Sequence, residues 1–332
     1  MRTPSFVLAL ATAFLAHAVL AAPGDFVPSY GTNGIAPFTA HPADDIYKSS
    51  VLQADGSVVS VGATNRGNLR IDLVVMRHLA DGTPDPTFGS NGRVVVPTPA
   101  GYTLGIDGDY YVFVQPTSGK LVVSGMCASE SCLSRFLPTG AIDPSFGSSG
   151  WLKPVFGKGP TAMRPDGRLL LATTVANGVS VIQLTADGAS DTSFGNNGGA
   201  VAGEPAPERI FVRGDGKIVL IGSGSYGALF VARRLATGFA DTTFGPDGSG
   251  VAPVHLASPA SPPTRGAVQA DGKVLAGRCS LSTPSGMQIA RIDEVGDPDL
   301  LFGTNGIAQV PGGCGAGSDF ALDSAGALLV AL

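Results

Sequence analysis

A short turn recurs six times along this chain, and its period decides what the chain can become. The copies are Tyr30-Gly31-Thr32-Asn33-Gly34, Phe88-Gly89-Ser90-Asn91-Gly92, Phe146-Gly147-Ser148-Ser149-Gly150, Phe194-Gly195-Asn196-Asn197-Gly198, Phe244-Gly245-Pro246-Asp247-Gly248 and Phe302-Gly303-Thr304-Asn305-Gly306. Their first glycines stand 58, 58, 48, 50 and 58 residues apart. Asn-Gly and Asp-Gly favour positive φ, so each copy predicts a tight turn behind an aromatic anchor. A second turn also recurs: Gln53-Ala54-Asp55-Gly56, Pro116-Thr117-Ser118-Gly119, Arg164-Pro165-Asp166-Gly167, Arg213-Gly214-Asp215-Gly216, Gln269-Ala270-Asp271-Gly272 and Asp323-Ser324-Ala325-Gly326. Each is followed by a short apolar run such as Lys217-Ile218-Val219-Leu220-Ile221, which reads as a β-hairpin. A third segment begins at Arg77, Arg135, Gln183, Arg233 and Arg291, and its own turn glycine lies six residues before the next Phe in all five units. An aspartate always stands three residues before that Phe: Asp85, Asp143, Asp191, Asp241 and Asp299.

Each unit therefore holds four short strands, A to D, and no helix-period stretch of useful length. Four-stranded units at this period predict an all-β propeller, in which blades must stack because none can bury both its faces alone. The beginning and end of the chain look like parts of one further blade. Gly24-Asp25-Phe26-Val27-Pro28-Ser29-Tyr30-Gly31 resembles a fourth strand without predecessors, and Phe320-Ala321-Leu322 with Leu328-Leu329-Val330 resembles strands A and B without successors. Five full units plus that composite predict six blades, although the composite has no evident strand C. The rival reading is a chain that stops early; an unpaired edge is a liability, which favours closure.

The pattern Q-x-D-G-K followed by R-L-x-x-D-G-x-x-D-x-T-F-G-x-x-G resembles the delta-60 repeat family of bacterial exported proteins. The resemblance runs from about residue 25 to 332, with departures at Tyr30, at Gln183 and at Thr117-Ser118-Gly119, a turn without its Asp. The terminal half-unit has no Arg strand. The resemblance implies a propeller-like fold in an exported repeat protein and brings no catalytic residues with it.

The first 21 residues read as a signal peptide: Arg2, an apolar run from Phe6 to Leu20, then Val19-Leu20-Ala21 before a cleavage site. Residues 22–332 form the expected propeller domain. No later segment is apolar for the ~20 residues a helical span requires. A net charge of −5 and only 14% charged residues give no electrostatic reason to expect nucleic acid or anionic lipid as a partner. In an oxidising compartment four cysteines predict two disulfides. Strand order places Cys127 and Cys132 at one B–C hairpin tip, and Cys279 and Cys314 on the same face of the ring, so Cys127–Cys132 and Cys279–Cys314 are the expected pairs.

The A–B and C–D turns must share one face of the ring, and the B–C and D–A connections the other. The second set varies in length, so any ligand site is expected there or at the channel mouth on that face. The repeated Asp residues could form a ring of carboxylates or cap their own turns; the repeated Arg residues could line a channel or pair with those Asp. Presence in every blade favours the local role for both. Gly222-Ser223-Gly224-Ser225-Tyr226-Gly227 matches a dinucleotide fingerprint but precedes a strand, where phosphate binding needs a helix N-terminus. His41, His78 and His255 stand alone, with Asp44 and Asp45 the only carboxylates close to His41. Asp107-Gly108-Asp109 is too short for a calcium loop. Tyr102, Tyr110 and Tyr111 could stack on a sugar or peptide, with blade packing the plainer role. No catalytic, metal or cofactor residue is assigned. The chain reads as a monomeric binding or scaffold module for a protein, peptide or glycan; a propeller hydrolase or lyase and a structural fragment of a larger surface protein are the alternatives. A channel enzyme would bring ionisable residues from several blades within hydrogen-bond reach.

Overall fold

In a computed structural model, the structure describes residues 29–36, 45–65, 71–105, 109–127, 130–153, 157, 159–175, 178–202, 207–224, 228–256, 260–280, 285–315, 318–323 and 325–331. All regular structure among them is β. Five antiparallel sheets each take four strands in chain order. They comprise β1 (Asp45–Leu52) to β4 (Arg93–Val96), β5 (Tyr111–Val114) to β8 (Trp151–Leu152), β9 (Thr161–Met163) to β12 (Gly199–Ala202), β13 (Pro207–Val212) to β16 (Val251–Val254), and β17 (Ala260–Val268) to β20 (Ile307–Pro311). A two-stranded sheet follows, β21 (Asp319–Leu322) with β22 (Leu328–Ala331). The fold is a β-propeller of stacked blades. Strands A pack on one another from blade to blade, β1 on β5, β9 on β13, β13 on β17 and β17 on β21, so they form the inner wall.

Local chemistry explains the repeat. In each Phe-Gly-x-Asn-Gly turn the fourth residue is left-handed, with φ of 51–55° at Asn33, Asn91, Ser149, Asn197 and Asn305. Strand C carries the Arg that pairs with the following Asp: Nε to Oδ2 is 2.6 Å for Arg77–Asp85, 2.8 Å for Arg135–Asp143, 2.7 Å for Arg233–Asp241 and 2.8 Å for Arg291–Asp299. Each guanidinium also lies over the ring of its own Phe, 4.5–4.8 Å from the centroid. The other Asp oxygen accepts the backbone N–H two residues on, from Thr87, Ser145, Ser193, Thr243 or Leu301. Both repeated residues therefore have the local roles expected of them.

The same arginines join the blades. Arg77 Nη1 donates to Pro138 O of the second blade (2.7 Å), Arg135 to Ala186 O of the third (2.9 Å) and Arg233 to Glu294 O of the fifth (2.6 Å). Beside them Gly89 N donates to Thr139 O, Gly195 N to Thr237 O and Gly245 N to Val295 O, each at 2.9 Å. The Phe ring packs on the turn glycine of the next blade. A Cβ at Gly238, whose φ is +95°, would stand 2.4 Å from the Phe194 ring, so only glycine fits.

The third blade keeps the clamp by exchanging two residues. Gln183 holds the strand-C position, and Arg164 of the A–B turn takes over the guanidinium's work. Arg164 Nε donates to Gln183 Oε1, Gln183 Nε2 donates to Asp191 (2.7 Å), and Arg164 Nη2 reaches Ala236 O of the fourth blade (2.7 Å). Elsewhere the pair is reversed, with Gln53 and Arg77 in the first blade and Gln115 and Arg135 in the second. The fourth blade has Arg at both positions, Arg213 and Arg233, and the fifth blade's Glu294 lies between them at 2.9 and 3.2 Å.

Cys127–Cys132 closes the B–C hairpin of the second blade, and Cys279–Cys314 ties β18 to the segment after β20; these are the pairs expected from strand order. The signal segment, His41, Asp44, Asp107, Gly108 and the Ser225-Tyr226-Gly227 part of the glycine motif lie outside the described residues. The described part of that motif runs from β14 (Ile218–Ser223) to β15 (Leu229–Arg234), strand to strand, without the helix a phosphate site requires.

Candidate functional site at the channel mouth

Strand register identifies one equivalent position on strand A of every sheet. The fourth residue of each strand B pairs with Ser49, Tyr111, Arg209, Arg265 and Asp319 in the first, second, fourth, fifth and last sheets. In the third blade Ala172 N donates to Pro160 O at the equivalent place. These six lie at the D–A end of the inner wall, on the face of variable loops, and they do not repeat: Ser, Tyr, Pro, Arg, Arg and Asp.

Four of them meet. The Arg209 charge of the fourth blade acts on the Tyr111 phenol of the second blade, which is not its stacked neighbour. Arg265, 7% exposed, donates from Nε to Ser318 O (2.7 Å) and lies 3.3 Å from Asp319 Oδ1. Burial and the nearby Arg209 both lower the Arg265 pKa, with Asp319, Asp109 and Glu208 opposing. Burial holds the Tyr111 hydroxyl above its ordinary range, so it remains a phenol at neutral pH.

A second layer sits behind Arg209. β-Bulges interrupt β1, β13 and β17 just before Ser49, Arg209 and Arg265, and the bulge of β13 contains Glu208. A bulge redirects a side chain, and here it turns Glu208 toward the fifth blade. Glu208 Oε1 accepts from Ser223 and from Arg278 Nη2 (3.0 Å), and its Oε2 accepts the Thr264 N–H (2.8 Å). Arg278 is 1% exposed and donates from Nε to Thr264 Oγ1 (2.9 Å). It occupies a strand-B position that is Gly62, Gly125 and Gly222 in three other blades. Burial pushes Glu208 up, but the hydrogen bonds from Ser223 and Thr264 outweigh it and leave the carboxyl below its usual range. It stays ionised at neutral pH.

The three tyrosines separate. Tyr110 is core, 2% exposed; Tyr102 packs edge-on against Trp151 with centroids 5.4 Å apart; Tyr111 is half-buried at the start of β5. Among the described residues no group of three or more His, Cys, Asp and Glu is placed to hold a metal ion. Arg209, Arg265, Asp319, Glu208 and Arg278 were missed in the sequence. A signal for the first three exists: the axial residue always lies four positions before the first residue of the A–B turn, Gln53, Gln115, Arg164, Arg213, Gln269 or Asp323.

Comparison with known proteins is consistent with this architecture. A family model described as a domain of unknown function (DUF5122) beta-propeller matches residues 53–88 and 164–194, which supports a propeller repeat family for these units. No curated protein matches in sequence. Among solved structures, the BP39L lectin from Burkholderia pseudomallei is 12% identical, with a TM-score of 0.52 over 85% of this chain and 79% of the lectin. An α-L-arabinanase from Penicillium chrysogenum complexed with arabinobiose is also 12% identical, TM-score 0.47 over 84% and 85%. A Dyadobacter fermentans protein of unknown function is 13% identical, TM-score 0.40 over 76% and 82%. The lectin likeness shows the fold alone.

Proposed function

We propose that the chain is an exported propeller module that binds a small carboxylate-bearing ligand at the channel mouth. Residues 1–21 serve as the leader and residues 22–332 as a single monomeric domain. The carrying observation is that Tyr111, Arg209, Arg265 and Asp319 converge from four sheets at register-equivalent positions where the fold demands no particular residue. Arg209 and Arg265 raise the local positive potential together, and a planar carboxylate between them relieves their mutual repulsion. Titration calorimetry with glucuronate and succinate tests the reading. Binding of at least one, weakened tenfold or more by Arg209→Ala, is expected, since a hydrogen bond to a charged group is worth about 1.5–3 kcal/mol. Equal heats from the wild type and Arg209→Ala would sink it.

Ionisable residues converging from several blades are also what a channel hydrolase or lyase would use; in that reading Glu208, held ionised, is a base rather than a general acid.

We also infer that the ring closes through a composite sixth blade. Gly31 N donates to Asp81 O of the first blade (2.6 Å), as Gly89, Gly195 and Gly245 do to their following blades. Tyr30 packs on Gly82 as each Phe packs on the next turn glycine. The fifth blade has the matching donors, Arg291 and Gly303, and Leu300 and Leu301 beside them are 69% and 91% exposed. Gly24 precedes Tyr30 by the six residues that separate turn glycine from Phe in every blade.

A further inference from the structure

The junctions between blades are filled differently on the short-turn face. The first residue of each A–B turn points toward the turns of the next blade. At the third junction that residue is Arg164, which fills the space by donating to Gly216 O (3.0 Å) and Ala236 O (2.7 Å) of the fourth blade. At the fourth junction Arg213 does so with Glu294. A Cβ at Gly272 would fall 1.5 Å from Glu294 Oε1 and 2.6 Å from Arg213 Nη2, so no room remains. At the second junction the residue is Gln115. Its Nε2 donates to Ala186 O (2.7 Å) and reaches no further. Around Gly167, the equivalent of Gly272, an added Cβ would meet nothing nearer than 3.6 Å, the same clearance as at Gly119 of the first junction.

The result is a cleft of about 200 Å³ between the second and third blades. It lies under the A–B turn that departs from the repeat. The segment from Gln115 to Lys120 holds one residue more than its counterpart from Gln53 to Ser57, and Ser118 stands in for the turn Asp. Lys120 and Arg135 bring two positive charges to the lining, and Asp166 and Asp187 bring two negative ones. Asp187 is 81% exposed while its Oδ1 accepts from Arg135 at 2.7 Å, and Lys120 shares Asp143 with Arg135. The Pro116 ring and the Ala186 methyl form an apolar floor.

We propose that this cleft binds a single neutral sugar ring. The volume is below the ~300–1,000 Å³ of sites for larger ligands, so it suits one ring rather than an oligosaccharide. The lining charges sum to zero, so an ionised ligand would meet attraction and repulsion at similar range. Hydroxyl groups donate and accept at once, and so match ammonium and carboxylates together. A sugar's C–H face covers the Pro116 floor. The site is separate from the channel mouth and does not rest on the carboxylate reading.

Saturation-transfer NMR on the full chain tests this with methyl glycosides of glucose, galactose, mannose and xylose, and with glucuronate and glucosamine as charged counterparts. At least one neutral glycoside is expected to bind with a Kd of about 1 mM, the level of a weak single-ring ligand. Gln115→Arg, which copies the third blade's own filling residue, should abolish transfer. Asp187→Ala, a change at an exposed side chain that spares folding, should weaken binding about tenfold, the loss of one charge-assisted hydrogen bond. Arg209→Ala at the channel should leave it unchanged. The proposal is overturned if no neutral glycoside shows transfer at 10 mM, if transfer survives both variants, or if, in the Arg209→Ala background that removes the channel site, the charged counterparts bind more tightly than the neutral ones.

Discussion

The short-turn face and the channel mouth are both rich in charge, and they use it in opposite ways. On the short-turn face the same Arg, Asp and Phe return in blade after blade, and every ion has its partner within the motif or one blade away. At the mouth no residue is used by every blade; Tyr111, Arg209, Arg265 and Asp319 each come from a different sheet and meet only because the blades surround an axis. Repetition marks groups that assemble the ring. Loss of repetition at a position the ring holds constant marks groups free to serve something else.

That contrast sets an order of expected effects. The largest belongs to the buried clamp. Arg135→Met removes a guanidinium that is 2% exposed and leaves Asp143 in a dry site with one cation fewer. Breaking one side of such a pair costs about 3–5 kcal/mol, read as a lower urea midpoint at unchanged slope. A loss below about 1 kcal/mol would mean that the motif is decoration, and the comparison would fail.

Next comes the exchanged pair of the third blade. Arg164→Gln alone removes the clamp, and Gln183→Arg alone crowds a second guanidinium onto Asp191. The double variant restores the arrangement of the first two blades. It should recover most of the loss, with a coupling of about 0.5–3 kcal/mol in a double-mutant cycle. Strictly additive losses would show that the two sites do not share one network.

Ring closure gives a third. If the ring closes on the fifth blade, Arg291→Ala costs the full chain more than a chain lacking residues 22–28, where it removes only the Asp299 pair and the Phe302 ring contact. Equal losses in both would mean that Arg291 serves its own blade alone.

Acid sharpens the comparison on the clamp side. The Ser193 hydroxyl and the Gln183 amide hold the Asp191 carboxyl at about 2, against ~3.9 for an unfolded Asp. A depressed folded-state pKa contributes stability above the unfolded value, and that contribution is lost as pH falls through the folded one. Thermal stability should therefore decline between about pH 4 and pH 2, and Asp191→Asn should flatten that part of the curve. Asp143 and Asp241 are lowered further, so their contribution persists to still lower pH.

Most of the fold was legible because its signals are local. Asn-Gly turns, the fixed six residues from glycine to Phe and the apolar runs between them each act within one blade. The disulfide pairs followed from strand order. Of the exchange between Arg164 and Gln183 only the departure at Gln183 was visible, because it takes the strand pairing to bring residues 19 apart together. The channel site was hidden for a different reason. Its residues are scattered over four units, and only the register shows that Arg209 and Arg265 are the same place in two blades. Arg278 was masked by its apolar surroundings in sequence, although three glycines at the equivalent position mark a place where a large side chain is exceptional.

The smallest expected effect on stability is the one that divides the two regions most cleanly. Arg209 is half-buried, its Nη1 donates to the Glu208 carbonyl (2.8 Å), and its charge acts on the Tyr111 phenol. Neither partner is a buried counter-ion left stranded when the side chain is cut, so Arg209→Ala should change the urea midpoint by less than about 1 kcal/mol. The same substitution should remove carboxylate binding, and Arg209→Lys should restore little of it, because an ammonium keeps the charge but not the planar fork. Tyr111→Phe should fall between, removing the polar group beside the guanidinium without discharging it. If Arg209→Ala instead unfolds the chain as readily as Arg135→Met, the mouth is another clamp, and the irregular residues serve the ring after all.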